Sequence, residues 1–166
     1  MPYSLSDLNQ MNEAEFVAAL GSIFEETPAI ARQVWQQRPF PDVKTLHERM
    51  VAIVQGADRQ VQQALILAHP DLGSRVKMAE DSVKEQAGAG LDRLSAEEYN
   101  RFLALNRAYR EKFGFPFIIA VRNHTKDSIL QAFEQRLHHS PEAEFQQALE
   151  EIYQIAWFRL QERAIA

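Results

Sequence analysis

Apolar residues recur three or four positions apart along most of this chain, and each series begins beside a residue that can cap a helix. Asn12 and Glu15 have the spacing of a capping box, and the apolar residues after them fall on one face of a helix. Ser95 and Glu98 open another such series, which ends at Gly114. The same pattern predicts further helices that begin at or just after Thr27, Asp42, Asp58, Thr125 and Ser140.

The stretch FGFPFIIAV, residues 113–121, has neither the spacing nor the capping residues of a helix. A short strand needs a partner, and the sequence offers no second strand. We therefore expect a buried extended segment inside an all-α fold, a helical bundle of about seven to eight helices. No internal repeat, low-complexity tract or linker interrupts residues 1–166, so a single domain is predicted.

The composition excludes several classes of function. The 166 residues are 46% hydrophobic and carry a net charge of −5, so no positive field draws nucleic acid or an anionic membrane to the protein. The absence of cysteine excludes disulfides, thiolate catalysis and zinc–thiolate sites. No run of about 18 uncharged apolar residues occurs, and the N-terminal MPYSLSDLNQ lacks the basic-then-apolar order of a secretory signal, which predicts a cytoplasmic protein.

His69 stands directly before Pro70 at the end of an apolar helical series. Because proline disfavours the α conformation in the residue before it, this helix is predicted to end at or near His69. The helix dipole favours the imidazolium there, which would suit the ring to proton transfer. A histidine at a helix end can also be a surface cap, so both interpretations stay open.

Three polar residues share one face of a helix, if residues 80–94 are helical. Ser82, Glu85 and Gln86 have the i, i+3 and i+4 spacing, and their hydroxyl, carboxylate and amide could together hold a small, polar, planar ligand. The alternative is the solvated face of a surface helix.

Two more features bear on function. Arg159 continues an apolar series on the last helix, where a guanidinium is costly unless it pairs with a carboxylate, so a structural ion pair and an anion clamp both fit. The extended segment could contact a heterocycle through its free amides and carbonyls, or its side chains could be ordinary core. The histidines form no metal-binding pattern, since Glu134 and His138 alone are too few ligands.

Four stretches stand in the same order as in one protein family: HPDLG at 69–73, SVKEQAGAGLDRL at 82–94, FLALNRAYREKFGFPFIIAV at 102–121 and IAWFRL at 155–160. The chain resembles the 2-oxo-4-hydroxy-4-carboxy-5-ureidoimidazoline (OHCU) decarboxylases over nearly its whole length. Members of that family catalyse the last step from urate to (S)-allantoin. The resemblance implies an all-helical, usually homodimeric carboxy-lyase that needs no cofactor and acts on a small molecule.

The resemblance also implies roles for individual residues. His69 and Glu85 would be catalytic, with Pro70 fixing the backbone of the histidine. No residue would bind a metal. The substrate-binding residues would be Pro70, Ser82, Gln86 and Arg159, together with the backbone of Phe117, Ile118, Ile119, Ala120 and Val121.

The chemistry of such a substrate explains why no cofactor is implied. The carbon that carries the carboxylate adjoins a ring carbon that can accept the electrons left by carbon dioxide, so the site must supply positioning, charge and one proton. We expect Arg159 and backbone amides to orient the anionic heterocycle, while Glu85 and Gln86 hold its ureido arm. His69 would take or polarise the 4-hydroxyl proton. Protonation on one face would then give the S product.

The sequence leaves two other function classes open. One is a helical binding or scaffold module of purine catabolism, in which the face formed by Ser82, Glu85 and Gln86 would be exposed. The other is a hydrolase of a related ureido compound, in which Glu85 would position a water molecule.

Overall fold

The computed structural model describes residues 2–73 and 79–166, which form two compact units. The first unit contains the chain up to Ala68 together with Tyr153–Ala166, and the second contains His69–Ile152. Helices dominate both units, which confirms the all-α class. That the whole chain forms one domain stays a prediction.

The first unit is built on helices whose N-termini are capped as the sequence predicts. The Asn12 side chain accepts a hydrogen bond from the Glu15 amide at 2.8 Å, and the Asp58 side chain accepts one from the Val61 amide at 2.9 Å. Neighbouring helices pack through fully buried apolar residues such as Phe16. The helices of this unit are α1 Leu5–Gln10, α2 Glu13–Leu20, α3 Ala29–Trp35, α4 Val43–Gly56 and α5 Arg59–Leu67.

The second unit has an aromatic core. Phe117 stacks on Phe133 with ring centroids 3.8 Å apart, and Tyr109 meets the Phe117 ring edge-on. None of the helices in the described residues combines the length and apolarity needed to span a membrane. The elements are α6 Glu80–Gly88, α7 Ala96–Phe113, a 3₁₀ turn Val121–Asn123, α8 Lys126–Arg136 and α9 Pro141–Arg163, of which α9 begins in the second unit and ends in the first.

Three short elements near the ends of the chain lie outside the sequence prediction. Helix α1 has six residues and buries only Leu8, so no apolar spacing marks it. Strands β1 Tyr3–Ser4 and β2 Ala164–Ile165 pair in parallel. The expectation that the sequence holds no strand pair is therefore wrong, because strands of two residues are too short to show alternation.

The predicted extended segment is present and buried, but it is shorter than residues 113–121. Helix α7 includes Phe113 and ends as predicted at Gly114, whose φ of +79° glycine adopts without strain. Val121 already begins the 3₁₀ turn. The extended segment is therefore residues 115–120, and every one of its residues is buried.

Candidate active site

His69 is buried at the start of the loop that follows α5. The helix ends at Leu67 with Ala68 as its C-cap, so it stops before the His69–Pro70 pair as predicted. Only 6% of the His69 surface is exposed, and Pro70 is half-buried. The surface-cap interpretation is therefore wrong, and the role of His69 in proton transfer stays a prediction.

The loop that carries His69 is tied to two helices of the second unit. The Gly73 amide donates to Gln86 Oε1 on α6 at 3.0 Å, and Asn106 Nδ2 on α7 donates to the Leu72 carbonyl at 2.9 Å. Both hydrogen bonds are buried, so water does not readily replace either partner. The backbone next to His69 is thus fixed relative to α6 and α7.

A hydrogen bond to Asp71 and the backbone conformation of Gly73 further restrain the same loop. Asp71 accepts a hydrogen bond from Arg110 Nε at 2.9 Å. Gly73 has a φ of +68°, and a Cβ atom there would lie 2.8 Å from Leu94 Cδ1. Only glycine fits this position without moving the chain.

Helix α6 turns its polar face inward. Ser82 and Gln86 are 5% and 7% exposed, and Glu85 is half-buried, whereas Val83 is 49% exposed. Burying a hydroxyl and an amide while a valine faces solvent is the opposite of what packing favours. The interpretation as a solvated face is therefore wrong, while substrate binding by this face stays a prediction.

The hydrogen bond from Gly73 decides the orientation of the Gln86 amide. Because a backbone N–H requires an acceptor, the oxygen Oε1 faces the loop, and the NH₂ group faces the other way. Within residues 2–73 and 79–166, Gln86 Nε2 donates to no protein group. Gln86 can therefore offer N–H donors to a ligand.

The extended segment combines apolar side chains with backbone amides that lack protein acceptors. Ile118, Ile119 and Val121 are 3%, 4% and 6% exposed, yet across the described ranges their amides donate to no acceptor. Buried backbone amides are almost always paired, so these amides mark a place where a ligand or water can supply the acceptor. The 3₁₀ turn that begins at Val121 packs against α6, which brings the end of this segment next to that helix.

Two backbone groups of the segment are already used inside the protein. The Ala120 amide donates to Glu151 Oε1 at 3.2 Å, and the Ile118 carbonyl accepts from Arg136 Nη1 at 2.6 Å. The Ala120 amide and the Ile118 carbonyl, which lie in the segment predicted to contact the substrate, are therefore already hydrogen-bonded to protein side chains.

A buried charged cluster contacts the extended segment, and the sequence analysis missed it. Glu144 is fully buried, and its Oε1 accepts from Tyr109 Oη at 2.6 Å and from Arg136 Nε at 2.8 Å. Its Oε2 lies 2.9 Å from His139 Nδ1. Burial, and then the hydrogen bond to Glu144, raise the pKa of Tyr109 above its ordinary value, so the phenol stays neutral.

A sequence signal for this cluster was present. Arg136 continues the buried apolar series of Ile129 and Phe133 on α8, which is the same pattern that singled out Arg159. Glu144 likewise stands one turn before the buried Ala148 on α9. The same sequence signal, a charged residue on an apolar helix face, therefore marks the buried ion pairs of both Arg136 and Arg159.

Arg159 pairs with a carboxylate of the first unit. Both Arg159 and Glu25 are 2% exposed, and Nη2 donates to Glu25 Oε2 at 2.8 Å. Nη1 lies 3.3 Å from the Ser22 carbonyl and 3.5 Å from the Ile23 carbonyl. The structural ion pair is thus confirmed, while a contact of Arg159 with a substrate stays a prediction.

The turn that carries these acceptors also holds Glu26 at a φ of +46°, a strained conformation for a residue other than glycine.

The predicted residues divide between the units. Arg159 belongs to the first unit. Among the residues described, no three histidine, aspartate or glutamate side chains are grouped so that they could hold a metal ion. The second unit contains the remaining predicted residues, which are His69, Pro70, Ser82, Glu85, Gln86 and residues 117–121.

A groove of about 460 Å³ in the first unit contains none of the predicted residues. Its walls come from α3, α4 and α5 and are largely apolar. The one carboxylate in its lining, Asp58, is the N-cap of α5. The groove therefore lacks groups that could carry out a reaction.

Comparison with known proteins decides the family. The sequence profile described as OHCU decarboxylase matches residues 9–161. The chain belongs to the OHCU decarboxylase family. A 2-oxo-4-hydroxy-4-carboxy-5-ureidoimidazoline decarboxylase of Halalkalicoccus jeotgali is 46% identical over 162 residues, which are 98% of this chain and 92% of that protein.

Two other similar proteins are longer than this OHCU decarboxylase family member. The uric acid degradation bifunctional protein of Bacillus subtilis is 49% identical over 158 residues, which are 95% of this chain and 32% of that protein. The crystal structure of an (S)-allantoin synthase is 34% identical with a TM-score of 0.79, and the match covers 96% of this chain and 54% of that chain.

Proposed function

We propose that this protein decarboxylates 2-oxo-4-hydroxy-4-carboxy-5-ureidoimidazoline to (S)-allantoin, the last step of urate degradation to allantoin. It acts as a carboxy-lyase without a cofactor. The observation that carries the proposal is the buried polar face of α6 in a chain of this family. A scaffold module would leave Ser82 and Gln86 in solvent, whereas both are buried.

Substrate binding in this proposal rests on N–H donors that match the carbonyl and carboxylate oxygens of the ligand. Gln86 Nε2 and the Ile119 and Val121 amides are such donors. Glu85 supplies the complementary acceptor for the N–H groups of the ureido arm. For Arg159, the family resemblance implies a contact with the anionic part of the substrate.

The reaction itself needs one bond to break and one proton to arrive. As carbon dioxide leaves, the electron pair of the broken bond passes through the adjoining C=N bond to the ring nitrogen, which takes up a proton, and the carbon that bears the ureido group then gains the proton that the 4-hydroxyl group gives up. His69 removes or polarises the 4-hydroxyl proton, so that this oxygen becomes the carbonyl of the product. Because Glu85 and Gln86 fix the ureido arm, only one face of the intermediate is protonated.

The assay that tests this function follows circular dichroism at a wavelength sensitive to allantoin. Urate and the two upstream enzymes generate the unstable substrate in place, and the protein is then added. We expect the signal of (S)-allantoin to grow together with release of carbon dioxide. A racemic product at the uncatalysed rate would overturn the proposal, and a chiral product without carbon dioxide would indicate a hydrolase.

His69→Asn is the variant that tests the catalytic base. General acid–base groups contribute about 100- to 10,000-fold, so we expect a loss of rate on that scale without loss of folding. His138→Asn is the matched control, because His138 is exposed on the surface of the same unit. Full activity of His69→Asn would exclude the histidine as the base while leaving the overall reaction in place.

We also propose that the protein is a homodimer, as the family resemblance implies, and that it acts in the cytoplasm, as the lack of a secretory signal in the sequence suggests. Light scattering of the purified protein should give twice the mass of one chain. A monomer with full activity would contradict the dimer.

A further inference from the structure

The extended segment takes part in no sheet of the described structure, so side chains must orient its backbone. Arg136 Nη1 donates to the Ile118 carbonyl at 2.6 Å. Glu151 Oε1 accepts from the Ala120 amide at 3.2 Å. These two side chains hold consecutive peptide groups, one at its oxygen and the next at its nitrogen.

Because the peptide group is planar, the contact between Arg136 and the Ile118 carbonyl also fixes the direction of the Ile119 amide. The Ile118 carbonyl and the Ile119 N–H belong to one planar peptide group, and among the described residues the only cis bond is Arg38–Pro39. In a trans peptide group the C=O and N–H bonds point in opposite directions. Arg136 therefore aims the Ile119 N–H away from itself, and this N–H is one of the amides that have no acceptor among residues 2–73 and 79–166.

Arg136 is itself held in a single orientation. Its Nε donates to Glu144 Oε1 at 2.8 Å, and its guanidinium carbon lies 4.2 Å from the centre of the Phe117 ring. Glu144 is held in turn by the Tyr109 hydroxyl. The two donations come from different nitrogens of one planar guanidinium, which fixes the direction of the Ile118 carbonyl relative to Glu144.

The cluster is not arranged for stability alone. Arg136 Nη2 is buried and has no hydrogen-bond partner in the described part of the chain, which carries a cost. A buried ion pair often stabilises a protein no more than apolar residues of the same volume would. The orientation that the cluster gives to the Ile118 carbonyl therefore explains its presence better than a contribution to stability does.

We propose that Arg136 is a positioning residue of the active site. By holding the Ile118 carbonyl it points the Ile119 amide at an anionic or carbonyl oxygen of the substrate, and Glu144 keeps Arg136 in place. The inference rests on the proposed decarboxylase function.

The double variant Arg136→Met/Glu144→Gln tests this role. It removes both charges, so no unpaired buried charge remains, and glutamine keeps an oxygen for the Tyr109 hydroxyl. The matched control is Arg101→Met/Glu134→Gln, which makes the same substitutions in an ion pair of the same unit whose side chains are 54% and 52% exposed.

The measurements are KM, kcat and the optical purity of allantoin, with thermal unfolding recorded for each variant. We expect the folded double variant to raise KM about tenfold, the scale of one hydrogen bond to a charged group, and to lower the excess of the S product. The control should keep wild-type values. A purely structural role would change the folded fraction, and therefore the apparent kcat, but neither KM nor the optical purity measured with enough folded enzyme to match the wild-type rate over the racemic background.

A folded double variant with wild-type KM and wild-type optical purity would overturn the proposal. Should that variant not fold, Arg136→Lys decides the question, because lysine keeps the charge but lacks the planar pair of donors that fixes the direction of the Ile118 carbonyl. We expect a raised KM for it, and an unchanged KM would again overturn the proposal. Failure of the proposed function is a separate result, since the wild-type protein would then form no (S)-allantoin at all.

Discussion

Replacing Glu25 by glutamine should destabilise the protein strongly, because it removes the charge partner of Arg159 from a buried site. The two side chains are 1% and 3% exposed and meet at 2.8 Å. Breaking such a pair from one side costs about 3–5 kcal/mol, against about 0–1 kcal/mol for an exposed pair. Glutamine keeps an oxygen that can accept from the guanidinium, so we expect about 3 kcal/mol, or a Tm lower by about 6–12 °C for a chain of this length.

Urea unfolding of four proteins measures this effect: the wild type, Glu25→Gln, Arg159→Met and the double variant. Since the double variant contains no unpaired charge, it should be more stable than Glu25→Gln alone, which gives a coupling free energy above about 1 kcal/mol. The exposed pair of Glu13 and Arg32 is the control, and Glu13→Gln should cost under about 1 kcal/mol. If Glu25→Gln costs no more than this control, or if the two substitutions are additive, the reasoning from burial is refuted.

Two further predictions concern the second unit. The raised pKa of Tyr109 means that its neutral phenol stabilises the fold at pH values below its ordinary pKa of 10.0, and that this contribution is lost at higher pH. Above about pH 10, the free energy of unfolding of the wild type should therefore fall more steeply with pH than that of Tyr109→Phe, by up to about 1.4 kcal/mol per pH unit. Urea unfolding at a series of pH values measures this difference, and parallel pH profiles of the two proteins would contradict it. Gly73→Ala should cost about 1–3 kcal/mol and lower kcat, because it strains the loop that carries His69. Gly56→Ala, where a Cβ atom would meet nothing within 4 Å, should leave stability and kcat near wild type, and equal effects of the two glycine variants would exclude strain as the cause.

Sequence reasoning worked best where the cause is local. Helix ends follow from capping side chains three residues away, and the stop before His69 follows from the proline beside it. The inward face of α6 shows the limit of this reasoning. Spacing alone placed Ser82, Glu85 and Gln86 together, but whether that face meets protein or water depends on elements far along the chain.

Sequence reasoning could not identify the partners of the buried charges. Arg159 was recognised as a costly charge on an apolar face, yet its partner Glu25 lies 134 positions away in a turn without periodicity. Arg136 carried the same local signal, and its acceptors are the Ile118 carbonyl and Glu144. A periodic pattern identifies a charge that needs a partner, but it cannot say which segment brings that partner.

The parallel pairing of β1 with β2 determines where another polypeptide can be fused to this protein. Paired strands lie about 4.8 Å apart, so the register of Tyr3 against Ala164 places the two ends of the chain side by side on the first unit. A longer polypeptide could therefore enter and leave the first unit at neighbouring points, running away from the strand pair in opposite directions. Such an arrangement suits a sequence that also matches one third of a longer bifunctional protein, since a neighbouring domain can be attached there without disturbing the helices.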